Sequence, residues 1–390
     1  MVVEIKKNIY WVGAIDWELR EFHAHYTPFG TTYNSYLITG EKNILIDTVK
    51  ETFADELLCR IWDVIDIRDL DYIIVNHAEK DHTGALPKIV EYSGAKIITN
   101  EKCKELLSLC YNTKNWEFIT VDNYETIKLG NKRFKFIHTP MLHWPDNMIT
   151  YLADDKILFS NDAFGQHYAS TQRFDDDIRG YSMYYAKEYF ANVLMPYKTL
   201  IIDLIKTIKE LEIDIIAPAH GVIWRKYIDE ILKRYEQWAF SKYKNKAVIV
   251  YDTIYNSTKK MAHALACGLI EEGINVKIFD ASNTPLSKII TEMVDAKYVL
   301  IGSPTMNRNV HPTIGKLLTY LLSIKPYDKI GVAFGSYGWN ECATNKIKLV
   351  FEELNYKIID DDILKIRMCP TKEQLYKLKE FGHELAKIDL

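Results

Sequence analysis

The sequence predicts a two-domain α/β protein: an α/β layer domain over residues 1–245, then a doubly wound parallel sheet of order 2-1-3-4-5 over residues 246–390. Three observations predict it. A chain of 390 residues is longer than one ordinary hydrophobic core accommodates. In the first part, short apolar runs end in ligand-type residues, most densely at Asn76-His77-Ala78-Glu79-Lys80-Asp81-His82. After Lys246 the rhythm changes to strands alternating with helices, the pattern of a parallel sheet.

Composition narrows the class further. Hydrophobic residues make up 48% and charged residues 26% of the chain, as in water-soluble globular proteins. A net charge of -4, with no Lys/Arg stripe interleaved with aromatics, argues against nucleic acid as a partner. The N-terminal residues lack a signal-peptide core, and no apolar run approaches the ~20 residues of a membrane span. The six cysteines form no C-x-x-C pair, which fits buried thiols in a reducing cytoplasm and excludes an attached rubredoxin-like iron site.

In chain order, strands are expected at Ile9–Val12, Tyr33–Ile38 and Asn43–Asp47, and a helix over Glu51–Asp63. The run Asp71–Val75 reads as a buried strand leading into His77, Glu79, Asp81 and His82, and a helix restarts at Ala85. His143 follows the strand Phe134–His138, Asp162 follows Lys156–Ser160, and His220 follows Ile213–Pro218. Open α/β layers bind ligands at such strand ends. Seven donors of mixed imidazole and carboxylate type suit iron or manganese better than a His-rich zinc set, and a carboxylate such as Asp162 can bridge two ions. A long helix is expected over residues 223–245, ending at the domain boundary.

The second domain opens with the strand Ala247–Tyr251. The loop after it, Thr253-Ile254-Tyr255-Asn256-Ser257-Thr258, is rich in hydroxyls and runs into a helix N-terminus, a natural phosphate site. It has neither a glycine fingerprint nor a Walker lysine, so it suits neither a dinucleotide nor a nucleoside triphosphate. Two further strand ends, Ser303-Pro304-Thr305-Met306-Asn307 and Ser336-Tyr337-Gly338-Trp339, are expected beside it, with Tyr337 or Trp339 flanking a planar ring.

His77-x-Glu79-x-Asp81-His82 resembles the metal signature of the metallo-β-lactamase superfamily, with Glu79 where its zinc hydrolases carry a second histidine. Together with His143-Trp144-Pro145-Asp146, Asn161-Asp162-Ala163-Phe164-Gly165 and His220-Gly221, and with a T-x-x-x-S-T loop similar to that of flavodoxins, the chain resembles the flavodiiron proteins along its whole length. The resemblance implies a metallo-β-lactamase-like αββα sandwich followed by a flavodoxin-like domain, with FMN and two non-haem irons as cofactors. It implies that one iron takes His77, Glu79 and His143, that the other takes Asp81, His82 and His220, and that Asp162 bridges them. The stretch holding His23 and His25 is similar to the family's loop beside the irons, and His167 is expected near the flavin or substrate pocket or else on a surface loop.

The activity this implies is reduction of dioxygen to water, or of nitric oxide to nitrous oxide. Reduced coenzyme F-420 is the implied electron donor and rubredoxin the alternative. A head-to-tail homodimer, possibly paired into a tetramer, would bring one subunit's FMN to the other's irons. Electron counting supports the cofactor pair, since dioxygen needs four electrons and two ferrous ions with one reduced flavin supply four. The competing classes are a di-metal hydrolase, against which Glu79 and the flavin loops argue, and an electron carrier with a vestigial metal centre, against which the full set of seven donors argues.

Overall fold

The computed structural model describes residues 1–390 apart from Ala24, Arg179, Lys242 and the side chain of His25. These residues divide into two compact units, Met1–Phe190 with Tyr197–Glu236, and Ala191–Pro196 with Gln237–Leu390. No helix among the described residues is long and apolar enough to cross a membrane.

The first unit is an αββα sandwich. One sheet has seven strands, in the order Val3–Lys6, Ile9–Trp11, Tyr36–Ile38, Ile44–Ile46, Tyr72–Ile74, Lys96–Thr99 and Phe118–Thr120. The other has five: Thr126–Leu129, Lys132–His138, Met148–Leu152, Ile157–Asn161 and Ile215–Pro218. Side chains of successive strand residues point to opposite faces, so one apolar run serves two cores. Ile44, Ile46, Ile74 and Ile98 meet Phe134, Phe136, Phe159 and Ile215 between the sheets. Leu45, Ile73, Val75 and Ile97 face the other way, onto Leu57, Leu58, Ile61, Leu86 and Ile89 of the covering helices. Each such fully buried side chain contributes about 1.5–3 kcal/mol.

The expected strand Tyr33–Ile38 is two strands. Thr31–Tyr33 leaves the large sheet to pair with Ala14–Asp16, while Tyr36–Ile38 stays in it. The break falls at Asn34, whose side chain accepts a hydrogen bond from Trp11 Nε1 and donates to the carbonyls of Pro218 and Gly221. The expected helix over 223–245 is shorter, Ile228–Ala239. Ile223 and Trp224 are held instead by bridges to Phe174 and Ile216, and Lys244 already belongs to the next sheet.

In the second unit the sheet order is Asn275–Asp280, Lys244–Tyr251, Ala296–Gly302, Ile330–Tyr337, Lys357–Ile358, which is 2-1-3-4-5, with every neighbouring pair parallel. The fifth position is shared. Lys357–Ile358 pairs with the start of Ile330–Tyr337, and Lys365–Arg367 pairs with its end. Ala247, Ile249, Leu300, Val332 and Phe334 pack on Met261, Leu265, Leu269 and Leu378 from the helices Ser257–Glu271 and Lys372–Ala386. Val248, Val250, Val299 and Ile301, pointing to the opposite face, are also buried. Burial of both faces is why these strands read as unbroken apolar runs.

Candidate functional site

The donor residues come from both sheets of the first unit. His77, Glu79, Asp81 and His82 follow Tyr72–Ile74 of the seven-stranded sheet. His143 lies in the connection between Lys132–His138 and Met148–Leu152, and Asp162 and His220 follow Ile157–Asn161 and Ile215–Pro218 of the five-stranded sheet. All but His143, which is half-buried, are buried.

They converge in two groups: His77, Glu79, His143 and Asp162, and Asp81, His82 and His220. Asp162 joins the groups through its two oxygens. Its Oδ2 lies 3.3 Å from His77 Nε2 and 3.2 Å from His143 Nε2. Its Oδ1 lies 3.4 Å from both His82 Nε2 and His220 Nε2. Glu79 Oε2 completes the first group at 3.4 Å from His77 Nε2 and from His143 Nε2. Asp81 completes the second, 3.4 Å from His82 Nε2 and 3.2 Å from His220 Nε2.

These separations fit donors sharing an ion. Atoms about 2.1 Å from one metal lie ~3.0–3.4 Å apart at octahedral to tetrahedral angles. Both Asp81 oxygens, both His82 ring nitrogens and Asp162 Oδ2 are buried without a hydrogen bond. Such burial costs about 1–3 kcal/mol or more per group unless something else satisfies it. Two coordinated ions would do so, and the donor set therefore fits a di-metal centre.

Electrostatics agree. Burial pushes His82, His143 and His220 toward neutrality, but the carboxylates outweigh it. Asp81 and Asp162 lift His82 to about 9; Asp162 and Glu79 lift His143 to about 10; Asp162 and Asp81 lift His220 to about 10. For Asp162 burial alone would raise the carboxyl, yet the surrounding histidines hold it well below its ordinary range. The pockets thus attract positive charge, which divalent ions can supply in place of protons.

Neighbouring groups aim the donors. His220 Nδ1 donates to the Thr32 carbonyl at 2.7 Å, which leaves Nε2 to face Asp81 and Asp162. His77 Nδ1 lies 3.0 Å from the Asn161 side-chain amide. Tyr189 Oη donates to Asp162 Oδ1 at 2.9 Å. His23 Nε2 is 2.8 Å from Glu79 Oε1, so His23 approaches the first group; the His25 side chain lies outside the described residues. His167 is not a surface residue but lies beside the candidate metal centre. It is buried, 2.9 Å by Nδ1 from Thr31 Oγ1, with its ring 5.2 Å from that of His220 and 4.9 Å from that of Tyr189. Sequence reading missed Thr32 and Tyr189: Thr32 acts through its backbone, and Tyr189 is one of four tyrosines in Tyr181–Tyr189 with no mark to single it out.

In the second unit, Asn256 adopts a left-handed conformation, φ 63°, and starts the helix Ser257–Glu271, with Ser257 and Thr258 buried in its first turn. Thr258 Oγ1 is 3.0 Å from Ser336 Oγ. Thr253 Oγ1 is buried without a hydrogen bond, an orphan in a loop suited to a phosphate. Ile254, Tyr255 and Trp339 are exposed, Met306 borderline, and a Cβ on Gly338 would meet nothing within 4 Å, so the loop tips border open space. Ser303 and Thr305 spend their hydroxyls on protein: Ser303 Oγ accepts from His311 N and donates to Pro304 O, and Thr305 Oγ1 accepts from the backbone of Cys342 and Ala343 at the start of helix Ala343–Glu353. Asn307 and Met306 line a pocket with Asn309 and Val310, the last two unforeseen from sequence. Gly302 and Gly335 are required by packing: a Cβ would strike the Phe334 ring at 2.3 Å and the Ser303 carbonyl at 2.2 Å, respectively.

Comparison with known proteins decides between the classes. Residues 31–221 match the family described as ODP family beta lactamase, and residues 249–382 match Flavodoxin. A nitric oxide reductase from Moorella thermoacetica is 41% identical over 390 residues, covering 98% of each chain. The flavodiiron protein from Giardia intestinalis superposes with a TM-score of 0.97 at 32% identity, over 99% of this chain and 96% of that one. The chain belongs to the flavodiiron family. Rubredoxin oxygen:oxidoreductase from Desulfovibrio gigas superposes as well, with a TM-score of 0.96 at 36% identity over 99% and 98% of the two chains. An uncharacterised protein of Methanocaldococcus jannaschii is 61% identical over 388 residues, 100% of this chain and 99% of that protein. As a flavodiiron protein the chain is an oxidoreductase that uses FMN and a non-haem di-iron centre, and the hydrolase and carrier alternatives fall.

The orphan hydroxyl of this flavodiiron protein makes a test of the flavin site. Thr253→Val keeps the side-chain shape and removes a buried hydroxyl that nothing in the protein satisfies. The flavin-free protein is expected to be as stable or slightly more so, while FMN binds about tenfold more weakly. Thermal melts without FMN and fluorescence titration with it check the two signs.

Proposed function

We propose that this flavodiiron protein reduces dioxygen to water in the cytoplasm, with reduced coenzyme F-420 as electron donor. In this reading His77, Glu79 and His143 hold one iron, Asp81, His82 and His220 hold the other, and Asp162 bridges them. The loops Thr253–Thr258, Ser303–Asn307 and Ser336–Trp339 hold FMN. The observation that carries it is the division of the Asp162 carboxylate between two pairs of histidines, 3.2–3.3 Å on one side and 3.4 Å on the other. When bound, the reduced flavin and the two ferrous ions together supply the four electrons that dioxygen requires.

The protein's own groups position and protect. Thr32 sets the His220 tautomer, and His23 steadies Glu79. Tyr189 keeps its proton, because burial pushes its phenol well above the ordinary range, and holds it on Asp162 Oδ1. The buried surroundings of the donors limit water at the centre. The donor assignment rests on the family resemblance alone; rubredoxin, which the name of the similar Desulfovibrio gigas protein carries, is the second candidate. A head-to-tail homodimer, with the tetramer as its pair, is the assembly that lets FMN and iron from different subunits exchange electrons.

A second reading, joining two nitric oxides into nitrous oxide and water with two electrons, is favoured by the 41% identity to the Moorella protein that carries the name nitric oxide reductase. Anaerobic stopped-flow with reduced F-420 separates the readings. Fast flavin reduction and consumption of two donor equivalents per dioxygen, without peroxide, supports the oxidase. A flavin that stays oxidised transfers the donor role to rubredoxin, and consumption of nitric oxide alone removes the oxidase assignment.

A further inference from the structure

Two groups of aromatic rings lie between the bridging carboxylate and the surface of the first unit: Tyr189 with His167, and Tyr185 with Tyr168, Tyr181 and Tyr184. Tyr189 donates to Asp162 Oδ1 at 2.9 Å. Tyr185 lies one helical turn earlier in Tyr181–Tyr189, on the same face. The Tyr168 ring stacks on Tyr185 with centroids 4.7 Å apart and planes 16° apart. Tyr181 continues the stack at 6.4 Å and 18°, and Tyr184 meets Tyr185 edge-on at 5.5 Å. Tyr189 and Tyr185 are buried, and Tyr181 is 60% exposed. The ring of His167, next in sequence to Tyr168, lies 4.9 Å from Tyr189 and provides a second link. The phenol on Asp162 and the phenols of the stack one helical turn away place redox-active groups at each stage between the carboxylate and the surface.

We infer that Tyr189, Tyr185, Tyr168 and Tyr181 form a relay that carries oxidising equivalents from the di-iron centre to the protein surface when flavin electrons run short. The inference rests on the function proposed above. Converting dioxygen to two waters takes four electrons and four protons. If the flavin is oxidised, the two ferrous ions give two electrons, and two tyrosines give one each. In each tyrosine the phenolic O–H bond breaks. Its electron passes to the dioxygen-derived oxidant, and its proton leaves through the hydrogen bond at Tyr189 or to solvent at Tyr181. The damage is then moved from the ligands to the surface, where a soluble thiol gives one electron and one proton to the Tyr181 radical, restoring the phenol, and two such thiols end as a disulfide.

The test uses the iron-loaded full chain with its irons reduced and its flavin oxidised, mixed with dioxygen and freeze-quenched. Electron paramagnetic resonance counts the radicals, and ferrous iron is measured in the same samples. The expected result is a tyrosyl signal approaching two radicals per di-iron centre, narrowed when the protein is grown on ring-deuterated tyrosine. Tyr185→Phe keeps the packing and should lower the radical yield, and Tyr189→Phe should abolish it. Ferrous iron oxidised with no tyrosyl signal, or with a signal that Tyr185→Phe and Tyr189→Phe leave unchanged, overturns the relay and leaves the oxidase reading standing. Ferrous iron that persists under dioxygen overturns the oxidase reading and the relay together.

Discussion

Asp162→Asn is expected to halve the iron content and lower turnover by more than about 100-fold, since even residues that merely orient a metal ligand are worth ~10–100-fold. The side chain keeps its size and its place after Ile157–Asn161. What changes is that one oxygen becomes an amide nitrogen, which cannot donate to a metal. In the wild type, Oδ2 faces His77 and His143 while Oδ1 faces His82 and His220. The amide can present oxygen to only one of these pairs. The pair that meets the nitrogen is left with donors from one side of its pocket and two facing N–H groups. Iron analysis of the purified variant should give at most one ion per chain, with the far-ultraviolet circular dichroism unchanged.

Gly221→Ala is expected to destabilise the first unit by about 2–5 kcal/mol and to empty the second group of its metal. Two effects add. Gly221 has φ +79°, a left-handed conformation that costs other residues ~1–2 kcal/mol. The added Cβ would also lie 2.4 Å from Gln166 Oε1 and 2.7 Å from its carbonyl, an overlap worth about 1–3 kcal/mol. Gln166 cannot give way cheaply, because its amide bonds Phe164 O and Val222 N. Relief by moving residue 221 breaks the bonds of Gly221 N to Thr32 Oγ1 and of Asn34 to Gly221 O, and with them the Thr32 carbonyl that holds His220. The melting temperature should fall by about 5–15 °C. Gly94→Ala is the control: its φ is +66° but a Cβ there meets nothing within 4 Å, so it should cost only about 1 kcal/mol and leave the iron in place.

Much of this was legible in the residues themselves, for physical reasons. The second sheet is buried on both faces, so its strands announce themselves as continuous apolar runs whose alternation with helices marks a parallel sheet; the order 2-1-3-4-5 comes from the resemblance to flavodoxins. The seven donors were legible because each stands just past such a run. What escaped were features that depend on contacts distant in sequence. Asn34 divides one apolar stretch between two sheets by bonding Trp11, Pro218 and Gly221. Thr32 positions His220 through a backbone carbonyl that any residue would carry. The hydroxyls of Ser303 and Thr305 bind the chain itself, which their place after a strand does not reveal. His167 carries the same side chain whether on a loop surface or against His220, and only the fold buries it.

The most direct test of the account is Mössbauer spectroscopy of protein reconstituted with enriched iron and FMN and then oxidised. A centre bridged by Asp162 predicts two irons per chain behaving as one spin-coupled, diamagnetic pair. Two magnetically independent ferric ions, or a protein that takes up zinc and leaves iron unbound, would contradict it.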